Sequence, residues 1–169
     1  MKIPPLEPKQ GWWLLWLTAP IVLVDQLSKR WAAQTLKGND PLTVIRNFWD
    51  FVYVENRGAL WGIGSEFSAS TRLIIFRIFS TLLTLVVVGL LFVKTDNRRH
   101  LAVYALIIAG ALGNLIDRFL YGYVIDFIDW RIGDLYHHPT FNVADAAIVA
   151  AIGLVILDMV LTPTRGHAA

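Results

Sequence analysis

Residues 141–161 read FNVADAAIVAAIGLVILDMVL, and this stretch decides the fold. Its charges are Asp145 near one end and Asp158 near the other. A helix needs about 20 mainly apolar residues to cross the hydrocarbon core of a bilayer, which this run supplies. A carboxylate at the edge of such a span is costly to desolvate and marks a functional position by default. Asp145 also has a structural duty available. Asn142 stands where a helix N-cap belongs, and an acid three residues later resembles a capping box. The helix N-terminus favours the ionised form of Asp145. Cap and chemistry are compatible.

Working outward, three more stretches reach spanning length, at about 12–33, 73–93 and 101–121, ahead of the run at 141–161. No soluble domain remains outside them, so residues 1–169 read as one integral membrane domain. Residues 94–100 form a tight turn, while 37–70 is a long loop and 122–140 an intermediate one. Lys2, Lys9, Lys94, Arg98, Arg99 and Arg165 lie in the tails and the tight turn. Asp40, Asp50, Glu55 and Glu66, then Asp126, Asp129 and Asp134, lie in the two longer loops. The positive-inside rule therefore puts both termini in the cytoplasm and both long loops outside. Pro4, Pro5, Glu7 and Pro8 precede the first span and no small-residue cleavage site follows it, so this span is expected to stay as an anchor. Within the first loop, PLTVIRNFWDFVYVEN (41–56) alternates and predicts one or two short strands. RGALWGIGSEFSAS (57–70) reads as a short surface helix or lid.

Composition removes several classes of function. The chain is 56% hydrophobic and 17% charged, against about 25% charged in soluble domains. A net charge of +2 with no basic stripe excludes a nucleic-acid partner. There is no cysteine, which excludes disulfides, zinc thiolates and thiol nucleophiles. His137 and His138 lack a matching ligand cluster and read as a polar loop pair, so neither a metal nor another cofactor is expected.

The polar residues of separate spans converge on one depth. Asp25 and Lys29 lie in the outer part of the first span. Asn114, Asp117 and Arg118 lie toward the outer end of the third, and Asn142 and Asp145 open the fourth. Asp25 and Lys29 are one helical turn apart and can pair. Gly110, Asn114 and Asp117 form a stripe, Asn114 and Arg118 are a turn apart, and Gly110 with Gly113 lets another helix approach. Arg72 and Arg77 are expected to snorkel or to pair with an acid. Asp126, in YGYVIDFID (121–129), is a second acid on the same membrane face. It reads either as half of a pair with Asp145 or as a solvated loop carboxylate, the reading given to Asp129 and Asp134. Two carboxylates at one site can share a proton and activate water, which points to aspartyl protease chemistry. A proton relay through Asp25, Asp117 and Asp145 would spread acids through the bilayer. Here they crowd the outer half, with Asp158 the exception. A non-enzymatic scaffold would make the acids incidental.

Five segments carry a resemblance: VDQLSKRW (24–31), VENRGAL (54–60), GALGNLIDR (110–118), VIDFID (124–129) and FNVADAAI (141–148). In this order and spacing the chain resembles the bacterial lipoprotein signal peptidases, signal peptidase II. The resemblance implies an all-α membrane protein of four transmembrane helices with a small extracytoplasmic β-cradle and a short surface helix. It implies an aspartyl endopeptidase that removes signal peptides from diacylglyceryl-modified prolipoproteins, on the N-terminal side of the lipidated cysteine. Asp126 and Asp145 would be its catalytic dyad. Asp25, Lys29, Asn56, Gly58, Gly110, Asn114, Asp117, Arg118, Asn142 and Ala144 would support the dyad or bind substrate. Lipidated prolipoproteins, membrane lipids and globomycin-type inhibitors would be its partners. The enzyme is expected to be a monomer in the bacterial cytoplasmic (inner) membrane, with its active site near the outer face. One departure stands out: Leu60, Trp61 and Gly62 follow Ala59 where the family commonly has Ala-Phe-Ser, which bears on lid packing and inhibitor fit.

Overall fold

The computed structural model describes residues 8–57 and 98–161, together with Ser68, Thr71, Ile74, Ile78 and Gly89. Helix α1 runs over Pro8–Thr35, α2 over Arg98–Leu120 and α3 over Val143–Leu161. The described residues also form four strands: β1 (Leu42–Ile45), β2 (Trp49–Asn56), β3 (Val124–Ile132) and β4 (Tyr136–His137). The expected span at 73–93 is described only at Ile74, Ile78 and Gly89, which are helical. Gly58, the Leu60-Trp61-Gly62 departure, Arg72, Arg77 and nearly all of the expected surface helix lie outside the described residues.

Two of the described helices, Arg99–Leu120 and Val143–Leu161, are long and apolar enough to cross a membrane. Helix α1 has the length, at 28 residues, but Pro20, Asp25, Gln26 and Lys29 lower its mean hydropathy. The surface of α3 supports a lipid setting. Val149, Ile152, Val155, Ile156, Met159 and Val160 are all exposed, so apolar side chains cover most of its circumference. The largest fully buried side chains include Lys29, Asn142, Asp25, Asp50, Asp117 and Asp126. Apolar groups face outward and polar groups inward, as suits a protein solvated by hydrocarbon and built around a polar site.

The four strands form one antiparallel sheet in the order β1-β2-β3-β4. The alternation over 41–56 gives β1 and β2, joined by a hairpin in which Asn47 adopts φ 61°, a conformation Asn tolerates better than most residues. The second long loop corrects the reading: residues 122–140 are not simply a loop but supply β3 and β4. The described residues therefore do not form an all-α fold, because the sheet draws strands from both long interhelical segments. Helix α2 ends where Gly122 takes φ 81°, the left-handed stop that glycine accommodates. The chain then turns directly into β3. One face of the sheet packs on the end of α1, where Ala32, Leu36, Ile125 and Phe127 form a buried cluster. Trp31 meets the Phe51 ring edge-on at 5.2 Å.

The three helices converge where α2 lacks side chains. A methyl on Gly110 would lie 2.5 Å from the Ala144 carbonyl oxygen, and one on Gly113 2.5 Å from Asp25 Oδ2. Glycine here permits the close approach that Gly110 and Gly113 predicted.

Candidate active site

Asp126 sits in β3, between Ile125 and Phe127, which pack toward α1. Strand alternation turns Asp126 to the opposite face. It is not a solvated loop carboxylate: it is 2% exposed. Its Oδ2 accepts a hydrogen bond from Asn56 Nδ2 (2.9 Å), and its Oδ1 one from Asn142 Nδ2 (2.7 Å). Asn56 arrives on β2, which pairs Val54 with Asp126 across the sheet.

Asp145 occupies the first turn of α3. The capping box forms as the spacing predicts. The Asp145 N–H donates to Asn142 Oδ1 (3.0 Å), and the Asn142 N–H donates to Asp145 Oδ2 (3.2 Å). The other carboxylate oxygen accepts from Asn114 Nδ2 (2.8 Å). Asn142 thus touches both carboxylates, Asp145 through its backbone and Asp126 through its side chain.

Beneath this pair lies a saturated ionic network. Lys29 Nζ donates to Asp25 Oδ2 (2.9 Å), Asp117 Oδ2 (3.0 Å) and Asn114 Oδ1 (3.0 Å). An ammonium has three donors, and all three are used. Asp25 Oδ1 accepts the backbone N–H of Ala144 (2.9 Å), which ties α1 to the start of α3. Asp117 Oδ2 accepts the backbone N–H of Ile125 (3.0 Å), which ties α2 to the residue beside Asp126. Asn114 joins this network to the pair above, since its Oδ1 also accepts from Asn142 Nδ2 (3.1 Å). Arg118 donates to the Asn114 carbonyl (3.3 Å), and its charge acts on Asp145, Asp126 and Asp117.

Burial pushes the Asp126 carboxyl from an ordinary 3.8 up to about 7, and the nearby Asp145 charge adds to the effect. Hydrogen bonds from Asn56 and Asn142 and the Lys29 charge oppose it. A carboxyl so placed can carry a proton near neutral pH and can donate it.

The structure brings Asp25, Lys29, Asn56, Gly110, Asn114, Asp117, Arg118, Asn142, Ala144 and the two acids to one locality. Sequence reasoning missed Gln26, whose Nε2 lies within hydrogen-bond reach of the Gly113 carbonyl (3.1 Å), Asp117 Oδ1 (3.0 Å) and Asp25 Oδ2 (3.2 Å). An amide beside Asp25 in an apolar helix was the available signal. Two assignments on the sheet need correction. Asp129 is buried rather than solvated, and it pairs with His137 Nε2 at 2.5 Å. His137 is therefore a strand residue with a partner, not half of a polar loop pair. Asp50, directly opposite Asp129 in the register, is held by Arg131.

The geometry has counterparts. The profile of the family described as signal peptidase (SPase) II matches residues 17–161. A lipoprotein signal peptidase of Xylella fastidiosa (strain M12) is 40% identical over 161 residues, 92% of each chain. One from Clostridium acetobutylicum is 39% identical over 140 residues, 83% of this chain and 88% of the relative. A solved bacterial membrane enzyme superposes with a TM-score of 0.75 at 31% identity, covering 92% of both chains. The chain belongs to the signal peptidase (SPase) II family.

Proposed function

We propose that this protein is an aspartyl endopeptidase that removes signal peptides from diacylglyceryl-modified prolipoproteins, cutting on the N-terminal side of the lipidated cysteine. The observation that carries this reading is the joining of Asp126 and Asp145 through Asn142, with one carboxyl raised to about 7. The names of the relatives supply the substrate class.

In the proposed reaction Asp145 carries the charge and Asp126 the proton. The α3 N-terminus and the Asn114 amide stabilise a negative Asp145. A water between the carboxylates loses a proton to Asp145 as its oxygen attacks the scissile carbonyl carbon. Asp126 donates its proton to the carbonyl oxygen, giving a neutral tetrahedral gem-diol. The C–N bond then breaks. The nitrogen takes the proton held by Asp145, and a gem-diol proton returns to Asp126. Asn56 and Asn142 fix the orientation of Asp126, and Asn114 that of Asp145. The Asp25–Lys29–Asp117 network holds the three helices and β3 in register. Proposed roles for Arg118, Gly110 and Ala144 are charge balance and close packing. Gly58 and globomycin-type inhibition belong to the same reading.

Placement follows from the chemistry. The substrate is lipid-anchored, so its acyl chains can remain in the bilayer while the peptide enters the site. The protein is proposed to act as a monomer in the bacterial cytoplasmic membrane, with four spans, cytoplasmic termini and the dyad near the outer face. The decisive assay is a gel shift on a lipidated prolipoprotein. Wild type should release the signal peptide, and Asp126→Asn and Asp145→Asn should not, while both retain a cooperative thermal transition. Substantial cleavage by either folded variant would sink the dyad assignment.

A further inference from the structure

A cavity of about 300 Å³ opens on the other side of β3 from the dyad, between the end of α1, the end of α2 and the sheet. Lys29 and Asp117 form its floor, while Arg30, Lys37, Tyr53 and Tyr123 are among its walls. Ile125 also lines it, and strand alternation turns its neighbour Asp126 away. The Asp126 carboxyl therefore does not face this space.

Its charge is unbalanced. Lys29 is saturated by Asp25, Asp117 and Asn114. Arg30 is exposed and forms no ion pair among the described residues. Lys37 and Arg57 share one carboxylate, Glu55, at 3.1 Å and 2.5 Å. Arg57 also lies over the ring of Tyr123, 5.5 Å from its centroid. Arg30 and Lys37 line the cavity, and Arg57 and Glu55 lie beside Lys37; with the two aspartates on Lys29 counted, four cations meet three acids. The Tyr53 and Tyr123 hydroxyls are 3.4 Å apart. The Tyr123 hydroxyl also interacts with Glu55 and Lys37, so the phenol pair shares the polar contacts of this rim.

The approach to the cavity is apolar and helical in period. Trp16, Pro20, Leu23, Leu27, Arg30 and Gln34 are all exposed and recur every three or four residues, so they form one stripe along α1. The stripe is apolar up to Leu27 and polar from Arg30 onward. Trp31 stands beside the change, and exposed Tyr121 closes the same end of α2, as aromatic residues do at headgroup level.

We propose that this cavity binds the phosphate headgroup of an anionic phospholipid through Arg30 and Lys37, beside the Tyr53–Tyr123 pair, with acyl chains along the Trp16–Leu23–Leu27 stripe. The site needs a membrane-embedded α1 face but is independent of the peptidase reading. Its floor is the Lys29 network, so an occupant would brace the helix ends that hold the dyad.

The test uses the full-length protein in neutral detergent, with the thermal midpoint followed against added lipid. Short-chain phosphatidylglycerol should raise the midpoint saturably, because a ligand of the native state stabilises it. Phosphatidylcholine of the same chain length and millimolar inorganic phosphate should not. Each cation near a lipid surface is worth about fivefold in affinity, so Arg30→Gln with Lys37→Gln should weaken binding roughly twenty-fold. Glu55→Gln releases Lys37 and Arg57 and should tighten binding several-fold. Arg46→Gln, on the exposed β1–β2 turn, should change nothing. Equal response to phosphatidylcholine, or unchanged affinity in the double variant, would overturn the proposal. A response to inorganic phosphate as large as that to the lipid would overturn the lipid assignment. Cleavage is not part of the readout, so failure of the peptidase reading cannot produce these outcomes.

Discussion

The protonation of Asp126 gives the sharpest test, because it sets stability and catalysis on one pH scale. In the unfolded chain the carboxyl titrates at its ordinary 3.8, and in the folded protein at about 7. Between those values the folded state holds a proton that the unfolded state has lost. Stability therefore falls as pH rises through this window and is flat above it. Three units at about 1.4 kcal/mol each give a loss of about 4 kcal/mol between pH 4 and pH 7. Asp126→Asn removes that slope. The amide does not reproduce the acid fully, since Asn56 and Asn142 both donate to Asp126. A protonated carboxyl oxygen still accepts, whereas an amide nitrogen cannot, so one hydrogen bond worth about 1 kcal/mol is lost. The variant should be weaker than wild type at pH 4 by about that amount. At pH 8 it should be stronger by about 3 kcal/mol, with a crossover near pH 5.

Denaturant unfolding in mixed micelles from pH 4 to pH 8 reads this directly. Asp145→Asn separates the two causes. Burial is the larger and survives the substitution, and only the Asp145 contribution disappears, so a reduced slope of the same sign should remain. Lys29, Asp117 and Arg118 also lie in this locality, and both variants leave them in place. A pH-independent difference between Asp126→Asn and wild type would refute the reasoning. So would loss of the entire slope in Asp145→Asn.

Other substitutions probe the support. Activity on a lipidated prolipoprotein should decline as pH rises through about 7, because the proposed acid loses its proton there; a pH–rate profile flat from pH 6 to 8 would contradict the assignment. Lys29→Met should destabilise by about 3–5 kcal/mol, since it leaves Asp25 and Asp117 buried without their shared cation; unfolding in micelles measures it. Gly113→Ala places a methyl 2.5 Å from Asp25 Oδ2 and should cost about 1–3 kcal/mol, with a lowered thermal midpoint. His137→Gln should cost under about 1 kcal/mol, because the His137 side chain is 64% exposed although Asp129 is buried.

The helical parts of the site were legible because helical spacing is rigid. Asp25 and Lys29 at i, i+4 pair as read, and Asn142 and Asp145 at i, i+3 form the capping box. Gly110 and Gly113 announced a close approach, and the Ala144 backbone meets Gly110 while the Asp25 side chain meets Gly113. The sheet was half legible. Residues 41–56 alternate β-branched and aromatic groups, but VIDFIDWRI carries two carboxylates that depress strand propensity and mimic a polar loop. Its pairing is long-range: Asp50 meets Asp129 and Val54 meets Asp126, and no local pattern encodes which strands meet. Asp129 was misread for that reason, since its burial depends on β2 and β4 arriving on either side.

The asymmetry of the pair has its origin in this mixed architecture. Two aspartates on one element would share an environment and differ little. Here one sits mid-strand, where burial penalises charge and the partners are side-chain amides. The other opens a helix, where the Asn142 backbone N–H and the Asn114 amide donate to it. Asn142 is last before that helix and also reaches the strand, so the two environments cannot drift apart without breaking it. Asn142→Ala should therefore do more than remove a cap worth about 1 kcal/mol. It deletes a donor to Asp126 that favours the charged form, so the carboxyl should titrate higher still. In the pH–rate profile the alkaline limb should move upward while the maximum rate falls. A lowered rate with an unmoved limb would mean that Asn142 acts as a cap alone.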